Sequence, residues 1–286
     1  DGGLDLMVNG TSALGLDVSA FYSDQFEKVG TTVFVSYNKG NAYDPSSVGL
    51  TAIPEFDRIT VNPKLFWQPK DDTELILSFN WTKENRLGGN LAFIEGEEVS
   101  DPYFEQNLTN RFSTQTTFRK ELGGEFKLEL KNSLNFFNRE ISLPDYNFGG
   151  KQFSTFSELN IQKEAGKSEW TAGANLWMEN FNQDQGNLSE NLDYQLNTVG
   201  AFVQNIWNMA EKWTLEFKAE RSAGGNLDIN YKMALGDEVT LNTNTLFFYT
   251  QIQDPLLLVS EGNSFEFSQP DGQIRTQGVE LNLKWT

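Results

Sequence analysis

The feature that most constrains this chain is an alternation of apolar and polar residues with a period of two, which recurs along nearly its whole length. Residues 73–81 read TELILSFNW, and residues 125–136 read EFKLELKNSLNF. In the second stretch Phe126, Leu128 and Leu130 share one face, and the opposite face is largely charged. Since successive side chains of a strand point to opposite faces of its sheet, both stretches are predicted to be strands with one apolar face. The charged face cannot lie in a folded core and must contact water.

Helical periodicity is almost absent, so the strand pattern can be followed along the chain. It predicts thirteen strands, at about 13–25, 29–38, 57–68, 73–83, 107–120, 125–138, 152–162, 169–180, 193–207, 213–219, 225–233, 238–251 and 274–286. Many of them exceed the mean strand of globular proteins, which has about five to six residues. They reach the length of about nine to eleven tilted residues that a strand needs to cross a bilayer.

The connections between the predicted strands alternate in length. Short ones lie at 26–30, 69–72, 122–125, 163–168, 208–212 and 235–238, and long ones at 39–56, 84–106, 139–151, 181–192 and 252–273. Outer-membrane barrels have short turns on the periplasmic side and long loops outside. The sequence therefore predicts an all-β fold, a transmembrane antiparallel β-barrel of outer-membrane type. The alternative is a soluble β-sandwich that buries one face of these long strands.

Aromatic residues make up 13% of the chain. They cluster near the ends of the predicted strands, as at Trp67, Trp81, Trp170 and Trp177. This placement is typical of the two aromatic girdles at the membrane surfaces of a barrel. In a β-sandwich the same residues would be core aromatics.

The composition narrows the range of functions. Lys and Arg number 22 against 40 Asp and Glu, for a formal charge of -18, which argues against a nucleic-acid partner because phosphate binding needs a cationic face. The chain has no Cys and no His, so thiol chemistry, Ser-His-Asp catalysis and nearly all zinc catalysis are removed. We therefore predict that the chain is not an enzyme and that it holds no cofactor and no resident metal.

Several stretches follow one another along the chain: LMVNGTSALGLDVSAFYSDQFEKVGTTVFVSYNKG (6–40), AYDPSSVGLTAIPEF with NPKLFW (42–67), YFEQNLTNRFSTQTTFRKELG (103–123), GAFVQNIWNMAEKWTLEF (200–217), AERSAGGNLDINYK (219–232), TLFFYTQIQDPLLL (245–258) and TQGVELNLKW (276–285). In this order they resemble the barrel of a TonB-dependent outer-membrane receptor, of the Bacteroidetes type that takes up siderophores or vitamins. The resemblance implies a 22-stranded barrel closed by an N-terminal plug, in the outer membrane of a Gram-negative bacterium. It implies energy-coupled uptake of a scarce ligand, such as a ferric siderophore, cobalamin or another metal chelate. The implied partners are outer-membrane lipids and lipopolysaccharide, that ligand, and a periplasmic TonB-type coupling protein that acts through the plug.

The chain departs from the family pattern in three places. The plug and the coupling segment are missing ahead of residue 1, so residues 1–286 are expected to be a partial barrel domain. The hairpin at 213–234 is cramped, which suggests an internal gap or deletion near 217–223. The last strand, GVELNLKWT (278–286), has the character of a membrane strand whose next neighbour lies outside the chain. These departures leave open a receptor seen in part, an engineered smaller barrel and a naturally short relative. A passive or engineered outer-membrane pore is therefore the alternative function.

Two predicted outer loops supply candidate ligand contacts. The loop at 41–56 contributes Tyr43 and Asp44, and it is too apolar to remain free, so a structural role against the barrel is favoured over ligand contact. The loop at 93–106 carries five acidic residues, and four of them, Glu95, Glu97, Glu98 and Asp101, are the candidates, with Glu105 as the fifth. An acidic mouth would attract cationic ligands or divalent cations. An ordinary solvated acidic loop is the favoured interpretation, because the spacing lacks the order of a calcium-binding loop.

Charged residues on the water-facing side of the strands are predicted to line the barrel lumen and to form ion pairs there. They include Arg58, Glu74, Arg111, Arg119, Glu129 and Glu158.

Overall fold

A computed structural model describes residues 2–186, 192–210, 213–220, 224–234, 240–253, 257–261, 264–268 and 272–285. These residues form strands almost throughout, with a single helical turn, α1 (Leu91–Ile94). The strands are β1 (Gly3–Gly10), β2 (Leu16–Phe26), β3 (Val29–Gly40), β4 (Glu55–Lys70), β5 (Thr73–Gly89), β6 (Phe104–Gly123), β7 (Phe126–Leu143), β8 (Tyr146–Ala165), β9 (Ser168–Gly186), β10 (Tyr194–Ala210), β11 (Trp213–Glu220), β12 (Gly224–Ala234), β13 (Thr240–Gln253), β14 (Leu257–Glu261), β15 (Ser264–Ser268) and β16 (Gln273–Trp285).

Fourteen strands form one sheet in the order β1 to β13 followed by β16. Each of the thirteen predicted strands corresponds to one strand of this sheet, so the all-β prediction is confirmed. The additional member is β1, which pairs with β2 in antiparallel register from Gly3↔Ser23 to Gly10↔Leu16. Its sequence, GLDLMVNG, is bounded by glycines, and Met7 interrupts the polar face. These features hide the alternation of Leu4, Leu6 and Val8.

Two predicted long loops are in fact largely strand. Residues 139–151 are not a long connection, because β7 continues to Leu143 and β8 begins at Tyr146. The stretch 252–273 contains the hairpin of β14 and β15, paired from Leu257↔Ser268 to Glu261↔Ser264. Strands of up to 20 residues, such as β6 and β8, exceed the span that a bilayer requires. They therefore continue well beyond it.

The short hairpin of β11 and β12 forms with continuous register from Trp213↔Tyr231 to Glu220↔Gly224. Its connection, 221–223, lies outside the described residues, and the internal gap near 217–223 stays a prediction. The final strand, β16, pairs with β13 from Gln253↔Gln273 to Leu241↔Trp285. It stands at the end of the strand order with β13 as its neighbour.

The sheet has two chemically distinct faces. We call the face with Leu65, Leu77 and Phe112 the apolar face, and the face with Arg58 and Glu84 the polar face. On β4 the outward apolar residues run from Ile59 to Trp67, which is about 26 Å of strand at about 3.3 Å per residue. At the tilt of about 40° that barrel strands have, this length covers roughly 20 Å of membrane thickness, which is most of the apolar band of about 25 Å on membrane barrels. Among the described residues, no hydrophobic side chain is buried, and no helix is both long and apolar enough to cross a membrane.

The chain divides into two compact units. The first comprises 1–120, 129–158 and 176–198, and the second comprises 121–128, 159–175 and 199–286. Within the second unit, Lys127 Nζ lies 2.7 Å from Glu164 Oε1, and Asn205 Nδ2 donates to Ser168 Oγ over 2.6 Å. The first unit contains all the candidate ligand contacts described below.

Candidate functional site

In the first unit, the strands have a loop end, with connections 41–54, 90–103 and 144–145, and a turn end, with connections 27–28 and 71–72. At the loop end, Tyr43 forms an antiparallel bridge with Ile53. Asp44 shapes the turn that follows, because its carboxylate accepts the backbone N–H groups of Ser46 (3.1 Å) and Gly49 (2.7 Å). Asp44 therefore has a structural task, whereas the Tyr43 ring is exposed.

The connections 41–54 and 90–103 are hydrogen-bonded to each other. Thr51 N donates to Gly89 O over 2.8 Å, and Leu91 N donates to Gly49 O over 2.9 Å. Gly89 N in turn donates to Thr51 Oγ1 over 2.9 Å. The prediction that residues 41–56 fold against the rest of the protein is therefore confirmed.

All four acidic candidates come after α1 in the chain. Glu95 caps the helix, and its N–H donates to Leu91 O over 2.9 Å. Glu97, Glu98 and Asp101 are exposed in the same connection. No cluster of three or more acidic residues in the described part of the chain is placed to hold a metal ion. The geometry thus leaves these residues as separate surface carboxylates, and their contact with a ligand stays a prediction.

The polar face carries ion pairs along its length, as predicted for the lumen. Arg58 is paired with Glu84, and Arg86 Nη2 lies 3.3 Å from the same carboxylate. Both guanidinium groups lie over the Phe56 ring, at 5.8 and 5.9 Å from its centroid. The Glu84 side chain is only 17% exposed, so this charge is compensated where water is limited.

A second ion-pair network lies farther along the same face. Arg119 bridges Glu74 (2.8 Å) and Glu129 (2.7 Å). Lys131 then links Glu129 (2.6 Å) to Glu158 (3.7 Å). These contacts tie β5, β6, β7 and β8 together through side chains. Elsewhere on this face, the Arg111 guanidinium lies 4.9 Å from the centroid of the Phe137 ring.

The most site-like arrangement is an aromatic–carboxylate cluster, formed by Phe148, Gln152, Glu179, Phe181 and Tyr194. Tyr194 Oη donates to Glu179 Oε1, and Gln152 Nε2 donates to the same oxygen over 2.8 Å. The Phe181 ring stacks on Tyr194 with centroids 5.6 Å apart, and on Phe148 at 6.3 Å. All five residues lie on the polar face, toward the loop end of β8, β9 and β10.

The backbone and the electrostatics of this cluster are both specialised. A Cβ at Gly150 would lie 2.5 Å from the Phe181 ring, so only glycine leaves room for the stack. Tyr194 lies beyond the apolar band, whose last member on β10 is Val199. Partial burial, together with the hydrogen bond to Glu179, raises the pKa of Tyr194 to about 12. The phenol is therefore a neutral donor that orients the carboxylate.

Two of the predicted girdle residues, Trp170 and Trp177, lie on opposite faces of the sheet. Trp170 lies on the apolar face, which is the face that a girdle residue must occupy. Trp177 is two residues from Glu179 on β9, so it shares the polar face, where its ring packs against Phe156 at 6.1 Å. Its assignment to a membrane girdle was therefore wrong. Proximity to a strand end did not reveal which face the residue occupies.

An antiparallel sheet with an exposed apolar face and an ion-paired polar face is an outer-membrane barrel fold, and solved structures support this. The chain is similar to ferric citrate transporter FecA in the unliganded form, with a TM-score of 0.66 and 12% identity over 98% of this chain and 50% of that chain. It is similar to the alcaligin outer-membrane receptor FauA from Bordetella pertussis, with a TM-score of 0.70 and 12% identity over 99% and 52%. It is also similar to the siderophore receptor PirA from Acinetobacter baumannii, with a TM-score of 0.60 and 12% identity over 99% and 59%.

At these identities the likeness shows the fold, and the chain spans little more than half the length of the structures it matches. No model of a known protein family matches the sequence, and no curated protein matches it. These structures are named as a transporter and as receptors.

Proposed function

We propose that the chain is barrel sequence of a TonB-dependent outer-membrane receptor that takes up a small ligand by energy-coupled transport. The similar structures are named as a transporter and receptors of ferric citrate, alcaligin and siderophores, so a ferric siderophore, cobalamin or another metal chelate is the proposed ligand class. A periplasmic TonB-type protein is the proposed energy source, and the outer membrane of a Gram-negative bacterium the proposed location.

The observation that carries this proposal is the aromatic–carboxylate cluster at the loop end of the polar face. Three stacked rings next to an oriented carboxylate offer flat apolar contact and one fixed charge. Sites for small ligands combine largely apolar walls with a few placed polar groups in this way. A ring-bearing ligand can stack on Tyr194 and Phe181, and Glu179 can accept a hydrogen bond from it.

Uptake measurements test this function directly. Cells that express, under iron limitation, the full-length receptor to which this barrel sequence is proposed to belong would be given a radiolabelled ferric chelate, with and without an uncoupler of the proton-motive force. We expect uptake to saturate, to require the proton-motive force, and to fall at least tenfold in Phe181→Ala. The matched control is Phe153→Ala, which removes a ring packed at 4.8 Å from Phe136 on the apolar face of β8.

The alternative is a passive pore, which the same experiment distinguishes. Flux through a pore would rise in proportion to the chelate concentration and would be insensitive to the uncoupler. Stable ion conductance of the full-length protein in planar bilayers, together with that flux, would contradict the receptor proposal. Normal saturable uptake by Phe181→Ala would instead show that the cluster is not part of the binding site.

The exposed loop residues are proposed to make the first contact with the ligand. Tyr43, Glu95, Glu97, Glu98 and Asp101 are proposed to meet the ligand before it reaches the cluster. Neutralising the four acids should lower the association rate for a cationic chelate, and added salt should reduce that difference. An unchanged rate would leave them as solvated surface charges.

A further inference from the structure

Two recesses lie on the apolar face of the sheet, away from the proposed uptake site on the polar face. The first, which we call the polar cleft, has a volume of about 490 Å³. Its residues on this face include Asp57, Lys83, Asn110, Asn138 and Glu140. Several of them lie two residues beyond the apolar band, on its loop-end side: Asp57 next to Ile59, Lys83 next to Trp81, and Asn138 next to Phe136. The cleft therefore begins where the band ends, toward the loop end.

The polar cleft is rich in hydrogen-bond acceptors. Asp57 and Glu140 contribute carboxylates, and Lys83 is the cation among the cleft's residues on this face. The Asn138 Oδ1 atom is buried and has no hydrogen-bond partner. A buried acceptor without a donor costs about 1–3 kcal/mol, so this atom is available to a donor that enters the cleft.

The second recess, which we call the apolar groove, lies within the band on the same strands. Its volume is about 420 Å³, and on this face it is lined by Thr31, Pro63, Leu65, Leu77, Phe79 and Thr114. The small Thr and Pro side chains stand between larger Leu and Phe side chains and leave the surface concave. A concave apolar surface of this kind can accept a flexible hydrocarbon chain.

We propose that the polar cleft and the apolar groove together bind one membrane glycolipid, with its sugar headgroup in the cleft and an acyl chain in the groove. Sugar hydroxyls are hydrogen-bond donors that can satisfy Asn138 Oδ1, Asp57 and Glu140. A phosphodiester supplies acceptors only, and its negative charge would face Asp57 and Glu140 with Lys83, because Arg58 and Glu84, which also line the cleft, are paired with each other. The cleft therefore disfavours phospholipids. Trp81 lies between the recesses, and its Nε1 donates to Asn110 Oδ1 over 2.9 Å, which fixes one wall at the membrane surface.

This inference rests on the proposed outer-membrane location but not on ligand uptake, and its test is independent of uptake. The purified chain, folded in a zwitterionic detergent without sugar, would be given digalactosyldiacylglycerol or phosphatidylmethanol, an anionic phosphodiester without a hydroxyl donor, with the same acyl chains. Native mass spectrometry would count the lipids retained. We expect one galactolipid to be retained at least tenfold more strongly than the phospholipid.

Two variants test the cleft and the groove separately, and a third variant serves as the control. Asn138→Leu removes the unpaired acceptor at nearly constant volume and should reduce galactolipid retention at least tenfold. Thr114→Phe fills the groove and should reduce retention of both lipids. Gln195→Leu changes an exposed amide off the cleft and should have no effect. Heat-modifiable gel mobility would show that each variant is folded.

Three outcomes would overturn the proposal. Equal retention of both lipids would show only unspecific lipid contact with the apolar band. Preferential retention of phosphatidylmethanol would show that a phosphate headgroup occupies the cleft. Unchanged retention in a folded Asn138→Leu variant would separate the cleft from lipid binding.

Discussion

The ladder between β4 and β5 contains an interruption whose repair can be tested. The pairing stops at Val61↔Trp81 and resumes at Lys64↔Ser78, so Pro63 stands opposite Phe79. Proline has no N–H and cannot donate to the carbonyl that faces it. The Asn62 side chain takes over this bond, because its Nδ2 donates to Phe79 O over 2.9 Å. The Asn-Pro pair thus keeps a central strand satisfied despite its proline.

The magnitude follows from the carbonyl that would be left without a donor. Phe79 lies within the apolar band, where water is scarce, and an unsatisfied buried carbonyl costs about 1–3 kcal/mol. Asn62→Ala should therefore lower the free energy of unfolding by about 2 kcal/mol. In a Pro63→Val background the restored backbone N–H can bond Phe79 O. The same Asn62→Ala change should then cost less than about 0.5 kcal/mol, which gives a coupling of about 1.5 kcal/mol between the two sites.

Urea titration of the chain folded in phosphocholine vesicles, followed by tryptophan fluorescence, measures all four free energies by linear extrapolation. Comparing each pair within one background cancels the effect of Pro63 on the unfolded chain. If Asn62→Ala costs the same with proline and with valine at position 63, the side chain does not replace the backbone donor. The reasoning would also fail if Asn62→Ala were neutral in the natural background.

Three further predictions concern the loop end. In alkaline difference absorbance, Tyr194→Phe should remove a component that titrates at about 12, above the ordinary tyrosine pKa of about 10. The folded state favours the neutral phenol, so the stability that Tyr194 contributes to the folded state is complete below about pH 10 and is lost as the pH rises through 12. Gly89→Ala places Cβ 2.4 Å from Tyr103 O at a φ of +127° and should cost about 1–3 kcal/mol; Gly96→Ala, with φ of +86° and open space, should cost less, and equal urea midpoints would contradict this. Asp44→Ala removes the acceptor for two backbone N–H groups, so residues 41–54 should be cleaved faster by protease than in Asp44→Asn.

The fold was largely predictable because the bilayer imposes one simple rule on each strand. Where one face contacts lipid and the other water, the period of two is strong, and all thirteen strands predicted from it are present. The rule loses force beyond the membrane, where both faces of a strand contact water. Residues 139–151 illustrate this loss: Asn138 and Glu140 continue the apolar face of β7 with polar side chains, so the stretch resembled a loop.

The aromatic–carboxylate cluster was missed for the same reason. Phe148, Gln152 and Phe181 lie in or beside stretches that the sequence suggested were connections, and periodicity carried no information there. A usable signal was the alternation of Phe148, Gly150 and Gln152, in which a glycine is flanked by residues on the same face. The contacts predicted in the loops stay predictions, and the Asp44 carboxylate also accepts two backbone N–H groups of its own turn.

The described sheet also shows what must stabilise such a chain. Most domains bury the apolar side of one layer against another layer, yet here no described hydrophobic side chain is buried and residues such as Leu281 are 62% exposed. Lipid must therefore supply the second layer on the apolar face. On the polar face the ion pairs of Glu84 and Glu129, with side chains 17% and 16% exposed, replace apolar packing. Lipid contact and lumenal ion pairs are thus the two interactions that substitute for a core, which is why charged residues occupy the middle of these strands.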